Sequence, residues 1–160
     1  MDATKFAILS ILVVFFNFID NTLCSEEEER IKAIYSKCRE ETQIDENEME
    51  TFRKMELPTS TKGKCMMGCL MREASIIVNG RFNKDGALQV AERYYSGRQE
   101  ELEKARMVVD ICEKKIEYET EECEIAGNLA SCVIEEAQKL SMDYSRITEA
   151  MLNKRRPSTT

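Results

Sequence analysis

The chain has 160 residues, is 42% hydrophobic and 33% charged, and carries a formal net charge of −7. That acidity argues against nucleic acid or an anionic membrane surface as a partner. Histidine and tryptophan are absent, so neither a Ser-His-Asp or Cys-His triad nor a histidine-ligated zinc site can be built, and the chain reads as a non-enzyme without cofactor or metal.

The N-terminus runs apolar from Phe6 to Ile19 behind Lys5. That length suits the hydrophobic region of a signal peptide and is short for a bilayer span. Cleavage is expected after Cys24, with Thr22 at the minus-three position and the acidic run from Ser25 to Glu29 following. Residues 1–24 are therefore read as a signal peptide, 25–145 as one helical domain and 146–160 as a C-terminal tail, and the protein as secreted. Removing residues 1–24 takes away Cys24 and leaves an even six cysteines and a charge of −6. No Asn-x-Ser/Thr acceptor follows residue 24, so N-glycosylation is not expected.

The rest reads as helices, with no convincing period-two alternation. Ser25 with Glu28 forms a capping-box pattern before Ile31, Ile34, Tyr35 and Cys38, which fall at helical spacing. Asp45 with Glu48 repeats the pattern and opens a short helix carrying Met49 and Phe52, closed by Pro58. A third helix holds Cys65, Cys69, Leu70, Ala74 and Ile77 and stops at Asn79-Gly80. Residues 81–86 read as a turn before a helix through Leu88, Ala91 and Tyr95. The turn partly imitates a calcium loop, but Arg81 sits where the first carboxylate ligand belongs.

The fifth helix repeats Leu102, Ala105, Val109, Cys112 and Ile116 at spacings of three and four, and Val108 and Ile111 widen that stripe. Thr120 can cap a sixth helix carrying Cys123, Ala126, Leu129, Ala130, Val133 and Ala137. The same period continues through Leu140, Tyr144, Ile147 and Met151. That last apolar face has three readings: a lid, an extra C-terminal helix packed outside, or a homodimer contact.

Cysteines 38, 65, 69, 112, 123 and 132 are separated by 26, 3, 42, 10 and 8 residues. Cys65 and Cys69 lie one turn apart on one helix face and point the same way, so each must reach a different neighbour. Cys123 and Cys132, nine apart, face opposite sides of the sixth helix. Helices three and six are thus each stapled twice, although spacing alone does not choose among the pairings. A domain held by such staples need not fill its centre to stay folded.

These spacings, with Lys64-Cys65-Met66-Met67-Gly68-Cys69-Leu70-Met71, Asn79-Gly80-Arg81-Phe82-Asn83, Asp110-Ile111-Cys112 and Cys123-Glu124-Ile125-Ala126, resemble the six-cysteine insect odorant-binding proteins, the general-odorant and pheromone-binding family. The resemblance spans roughly residues 30 to 140. It implies an all-α, compact bundle of about six helices around an apolar cavity. It also implies three disulfides, Cys38–Cys69, Cys65–Cys123 and Cys112–Cys132. The implied role is that of an extracellular carrier that solubilises a small apolar or weakly polar organic ligand, such as an odorant or pheromone, and brings it to a membrane odorant receptor. A seminal, salivary or haemolymph carrier would share that physics, and a stapled helical signalling ligand is the rival from another class.

The pocket is expected on the inner stripe of helices four to six: Leu88, Ala91, Tyr94 and Tyr95, then Ala105, Val108 and Val109, then Leu129 and Val133. A hydroxyl of Tyr94 or Tyr95 would serve an alcohol, aldehyde or ester. Without histidine, acid-driven release would need carboxylates with raised pKa values.

Overall fold

The structure, a computed structural model, describes residues 29–142 except Met55 and the Arg53 side chain. The expected signal peptide, the Ser25 cap and the face carrying Tyr144, Ile147 and Met151 lie outside the described residues. Six helices account for most of the chain: α1 over 29–42, α2 (Glu46–Arg53), α3 (Thr61–Glu73), α4 (Lys84–Tyr94), α5 (Gln99–Lys115) and α6 (Glu122–Lys139).

Local chemistry starts the helices. The Asp45 carboxylate accepts from the Glu48 N–H and caps α2, as its spacing predicts, and the Ser60 hydroxyl accepts from the Gly63 N–H at the head of α3. At α6 the expected Thr120 cap is not used. Glu121 holds that position with no side-chain cap bond, and acidic Glu122 and Glu124 in the first turn favour the helix dipole instead.

The third helix ends earlier than its apolar spacing predicts. Glu73 is its last residue, Ser75 turns left-handed at φ 59°, and the Ile76 and Ser75 N–H groups donate to Met71 and Arg72 carbonyls at 2.8 and 2.9 Å. This is a Schellman stop with serine where glycine is usual. The released chain forms a hairpin, β1 (Ile77–Val78) against β2 (Arg81–Phe82), with Ile77 opposite Phe82. Asn79 and Gly80 both have positive φ, 53° and 68°, the geometry of a tight two-residue hairpin turn. Gly86, in the imitation calcium loop, has a packing reason: a Cβ there would sit 1.9 Å from the Ser75 carbonyl oxygen. Asn83 Nδ2 donates to that same oxygen at 2.9 Å, pinning α4 to the end of α3.

Three disulfides join the helices. Cys38–Cys69 links α1 to α3, Cys65–Cys123 links α3 to α6, and Cys112–Cys132 links α5 to α6. This is the pairing the resemblance implies, and it staples α3 and α6 twice each. Ion pairs follow these seams and add one between α4 and α5. The Arg72 guanidinium of α3 reaches Glu41 on α1 and Glu122 on α6. Lys84 of α4 holds Asp110 and Glu113 of α5 at 2.7 and 2.8 Å, and Lys115 of α5 holds Glu136 of α6 at 2.9 Å.

The apolar side chains sort into two clusters that share α3. The smaller gathers Cys38, Ile44, Met49, Met66 and Cys69, flanked by half-buried Ile34, Phe52 and Leu70. The larger draws on the hairpin, the end of α4, α5 and α6, with Ile77, Val108, Cys112, Ile116, Ile125, Ala126 and Leu129 among its buried members.

Candidate ligand-binding site

The expected pocket residues divide on folding. Tyr95, Ala105, Val108 and Leu129 are buried together in the larger cluster, and Ala91 packs against it half-buried. Val109 is also buried, and Leu88 is half-buried on the same helix as Ala91. Tyr94 and Val133 stand at the surface, 36% and 37% exposed. Ile111, expected to widen the buried stripe of α5, is exposed as well. The helical period puts it one residue before buried Cys112, a step of about 100° away from the buried stripe.

The wall around the gathered residues is adaptable. Met67 and Met71 of α3, Ile76 and Phe82 of the hairpin, Leu102 of α5 and Leu140 after α6 pack against the cluster while keeping accessible surface. Unbranched thioethers change shape at little cost, so Met67 and Met71 can adjust their outline against the cluster.

The polar fixtures are phenols. Tyr95 is buried, and the Arg98 guanidinium lies 5.7 Å from its ring centroid, a cation–π contact that holds the ring at the turn between α4 and α5. Tyr35, on α1, shares its helical stripe with Ile31, Ile34 and Cys38. It keeps 37% of its surface accessible, yet burial pushes its phenol above the ordinary value, with the Tyr94 phenol adding to the rise. The Tyr35 ring of α1 and the Tyr94 ring of α4 thus stand within electrostatic reach of each other. The signal in the sequence was slight: Tyr35 is the one hydroxyl-bearing ring in the stripe that leads to Cys38.

A separate open depression lies on the outer face of α1, lined by Ser36, Arg39, Glu40, Gln43 and Ile44. It is mostly polar and contains none of the residues above, so it does not suit an apolar guest. Among the described residues no cluster of three histidine, cysteine, aspartate or glutamate side chains could hold a metal ion, and no helix is long and apolar enough to cross a membrane.

Residues 21–136 match the PBP/GOBP family. General odorant-binding protein 19d of Drosophila melanogaster is 24% identical over 109 residues, covering 68% of this chain and 72% of that protein. Among solved structures, odorant-binding protein dmelOBP28a from Drosophila melanogaster superposes with a TM-score of 0.61 at 22% identity, covering 74% of this chain and 98% of the other. Apis mellifera odorant binding protein 5 superposes with a TM-score of 0.55 at 21% identity, over 70% and 89% of the two chains.

Proposed function

The chain belongs to the PBP/GOBP family, whose members bind small hydrophobic ligands, and from that premise we propose that it is a secreted carrier that solubilises such a ligand and delivers it to a membrane receptor. The observation that supports this reading is the convergence of Tyr95, Ala105, Val108 and Leu129 on one cluster rimmed by half-buried Met67, Met71, Ile76, Phe82 and Leu102. Covalent links along α3, α5 and α6 hold that rim in place. The helices therefore need not close on a solid centre to remain folded.

In this reading the guest lies against Ala91, Ala105, Val108, Val109 and Leu129, with Leu88 and Val133 toward its edges. The Tyr35 and Tyr94 hydroxyls meet an alcohol, aldehyde or ester oxygen at one end. Secretion agrees with three disulfides, which form and persist in oxidising compartments. The test is displacement of a fluorescent apolar probe from the purified full chain by alcohols, esters and hydrocarbons of graded length. Saturable, competable binding supports the carrier. Absence of competable binding at micromolar ligand would favour a helical signalling ligand instead.

A further inference from the structure

The connector between α5 and α6 carries a tyrosine that the pocket does not use. Tyr118 is 88% exposed, and Glu117, Glu119 and Glu121 around it are exposed too. It alone among the five tyrosines has glutamate on both sides, and Glu113 and Glu122 add further carboxylates within five residues. Two lysines precede it. Lys115 is engaged by Glu135 and Glu136 on α6, and Lys114 lies near Asp110.

The backbone is presented as well as the ring. A turn bond from the Glu119 N–H to the Ile116 carbonyl, 3.0 Å, lifts Tyr118 to the crest, and Glu121, just before α6, is extended. Disulfides at Cys112 and Cys123 anchor the connector on both sides, and Asn128 Nδ2 donates to Glu119 Oε1 at 2.9 Å. The connector thus offers an accessible phenol on a short, anchored, strongly anionic turn.

We propose that Tyr118 is a site of tyrosine O-sulfation. An enzyme that delivers sulfuryl groups must hold an anionic donor, a phosphosulfate anhydride of a nucleotide, so its cleft is cationic. An acceptor segment rich in carboxylates complements that cleft, and a phenol at the crest of a turn reaches into it without the bundle having to open. In the transfer the Tyr118 oxygen attacks sulfur and a new O–S bond forms. The S–O bond to the nucleotide phosphate breaks, the nucleotide leaves with the electron pair, and the phenolic proton passes to a base of the transferring enzyme. No oxidant or reductant is required. The product is a fixed negative charge at the α5–α6 connector, ready for a partner of cationic surface.

The proposal rests on passage through the secretory pathway, so the test supplies that passage separately. The full chain is produced in cultured insect cells behind an established secretion leader, beside a control protein known to be sulfated. Peptide mass spectrometry is expected to find one sulfuryl group on Tyr118 that resists phosphatase. Tyr118→Phe removes it, and replacing Glu117 and Glu119 by Gln lowers occupancy by about threefold to tenfold, the worth of two exposed ion pairs. Apolar-probe binding by the Tyr118→Phe protein stays unchanged, because the ring stands away from the proposed pocket. Unmodified Tyr118 beside a sulfated control, a group that phosphatase removes, or a mass gain that survives Tyr118→Phe would overturn the proposal. A sulfated chain that binds no apolar probe would instead leave this site standing and remove the carrier reading.

Discussion

Helix α3 carries methionines on both of its buried sides, and they do different things. Met66 turns into the smaller cluster, where it is fully buried beside Cys38, Ile44, Met49 and Cys69. Met67 and Met71 turn toward the larger cluster and keep accessible surface. The smaller region is assembled from neighbouring stretches of chain, α1 to α3, around one disulfide. The larger draws its walls from the hairpin, α4, α5 and α6 and is tied by Cys112–Cys132, while Cys65–Cys123 joins it to the smaller. The contrast teaches that one residue type can be enclosed filler on one face of a helix and half-accessible, deformable packing on the other. What decides is whether the opposing elements close down on it.

The largest effect should come from cutting the link that joins the two regions. Cys65–Cys123 closes the longest loop of the three, with a sequence separation of 58 against 31 and 20. Replacing both cysteines by alanine should cost about 4 kcal/mol by loop-closure entropy, against roughly 3 for Cys112–Cys132. Urea titration followed by circular dichroism measures both. Equal or reversed losses would mean that strain or residual structure, rather than the span between the regions, sets the value of each staple.

Next come paired truncations that ask whether the regions differ in kind. Met66→Ala should destabilise by about 2–5 kcal/mol, the range for emptying a closed core site, and leave apolar-probe affinity unchanged. Met67→Ala and Met71→Ala should cost less stability, because part of each side chain is already accessible, and should weaken binding of the bulkier guests. Thermal melts with and without ligand, read beside probe displacement, separate the two. If Met66→Ala lowered affinity as much as Met71→Ala, the two clusters would be one site.

A smaller effect should distinguish polar from apolar guests through the two exposed phenols, Tyr35 and Tyr94. Tyr35→Phe and Tyr94→Phe each remove one hydroxyl and little else. A net hydrogen bond is worth about 0.5–1.5 kcal/mol. Affinity for alcohols and esters should therefore fall by roughly twofold to tenfold, while hydrocarbons of the same length are unaffected. Equal losses for both ligand classes would remove the hydroxyls from the site.

Much of this architecture was legible because its signals are local. The Asp45 cap, the stripe through Leu102, Ala105, Val109 and Cys112, and the double stapling of α3 and α6 follow from spacing on single helices. The pairing and the six-helix bundle followed from the resemblance. What stayed hidden depended on signals the sequence does not carry in their usual form. Helices α3 and α6 both stop on a left-handed serine, Ser75 and Ser141, with φ of 59° and 49°, where a glycine would have announced the end. The apolar period ran past both. Leu140 after α6 is indeed used by the core, while Ile76 and Ile77 after α3 were handed to the hairpin region. The outward turn of Ile111 and the approach of Tyr35 to Tyr94 depend on which helix lies opposite, and no single helix records that.

The smallest expected effect is the response to mild acid, and its absence is informative. The carboxylates the fold perturbs all stand at helix seams and are held below the ordinary range: Glu73 by its hydrogen bond from Lys37, Asp110 by that from Lys84, Glu135 by that from Lys139 and Glu136 by that from Lys115. A depressed carboxylate contributes stability that is present above its unfolded value and is lost only as pH falls through the lower, folded one. Those unfolded values are 4.5 for glutamate and 3.8 for aspartate. Their partners Lys84, Lys115 and Lys139 are raised, chiefly by the same hydrogen bonds from lysine to carboxylate. Their contribution is whole below 10.5 and fades only as pH climbs through the raised values. Neither set titrates between about pH 7 and pH 5, and there is no histidine to do so. Probe affinity and melting temperature should therefore stay flat across that window, with loss beginning only under stronger acid, in both the ligand-facing region and the closed one. A tenfold fall in affinity at pH 5 with an unchanged melt would place an acid-sensitive group in the pocket itself and sever ligand release from the ion pairs that hold the helices together.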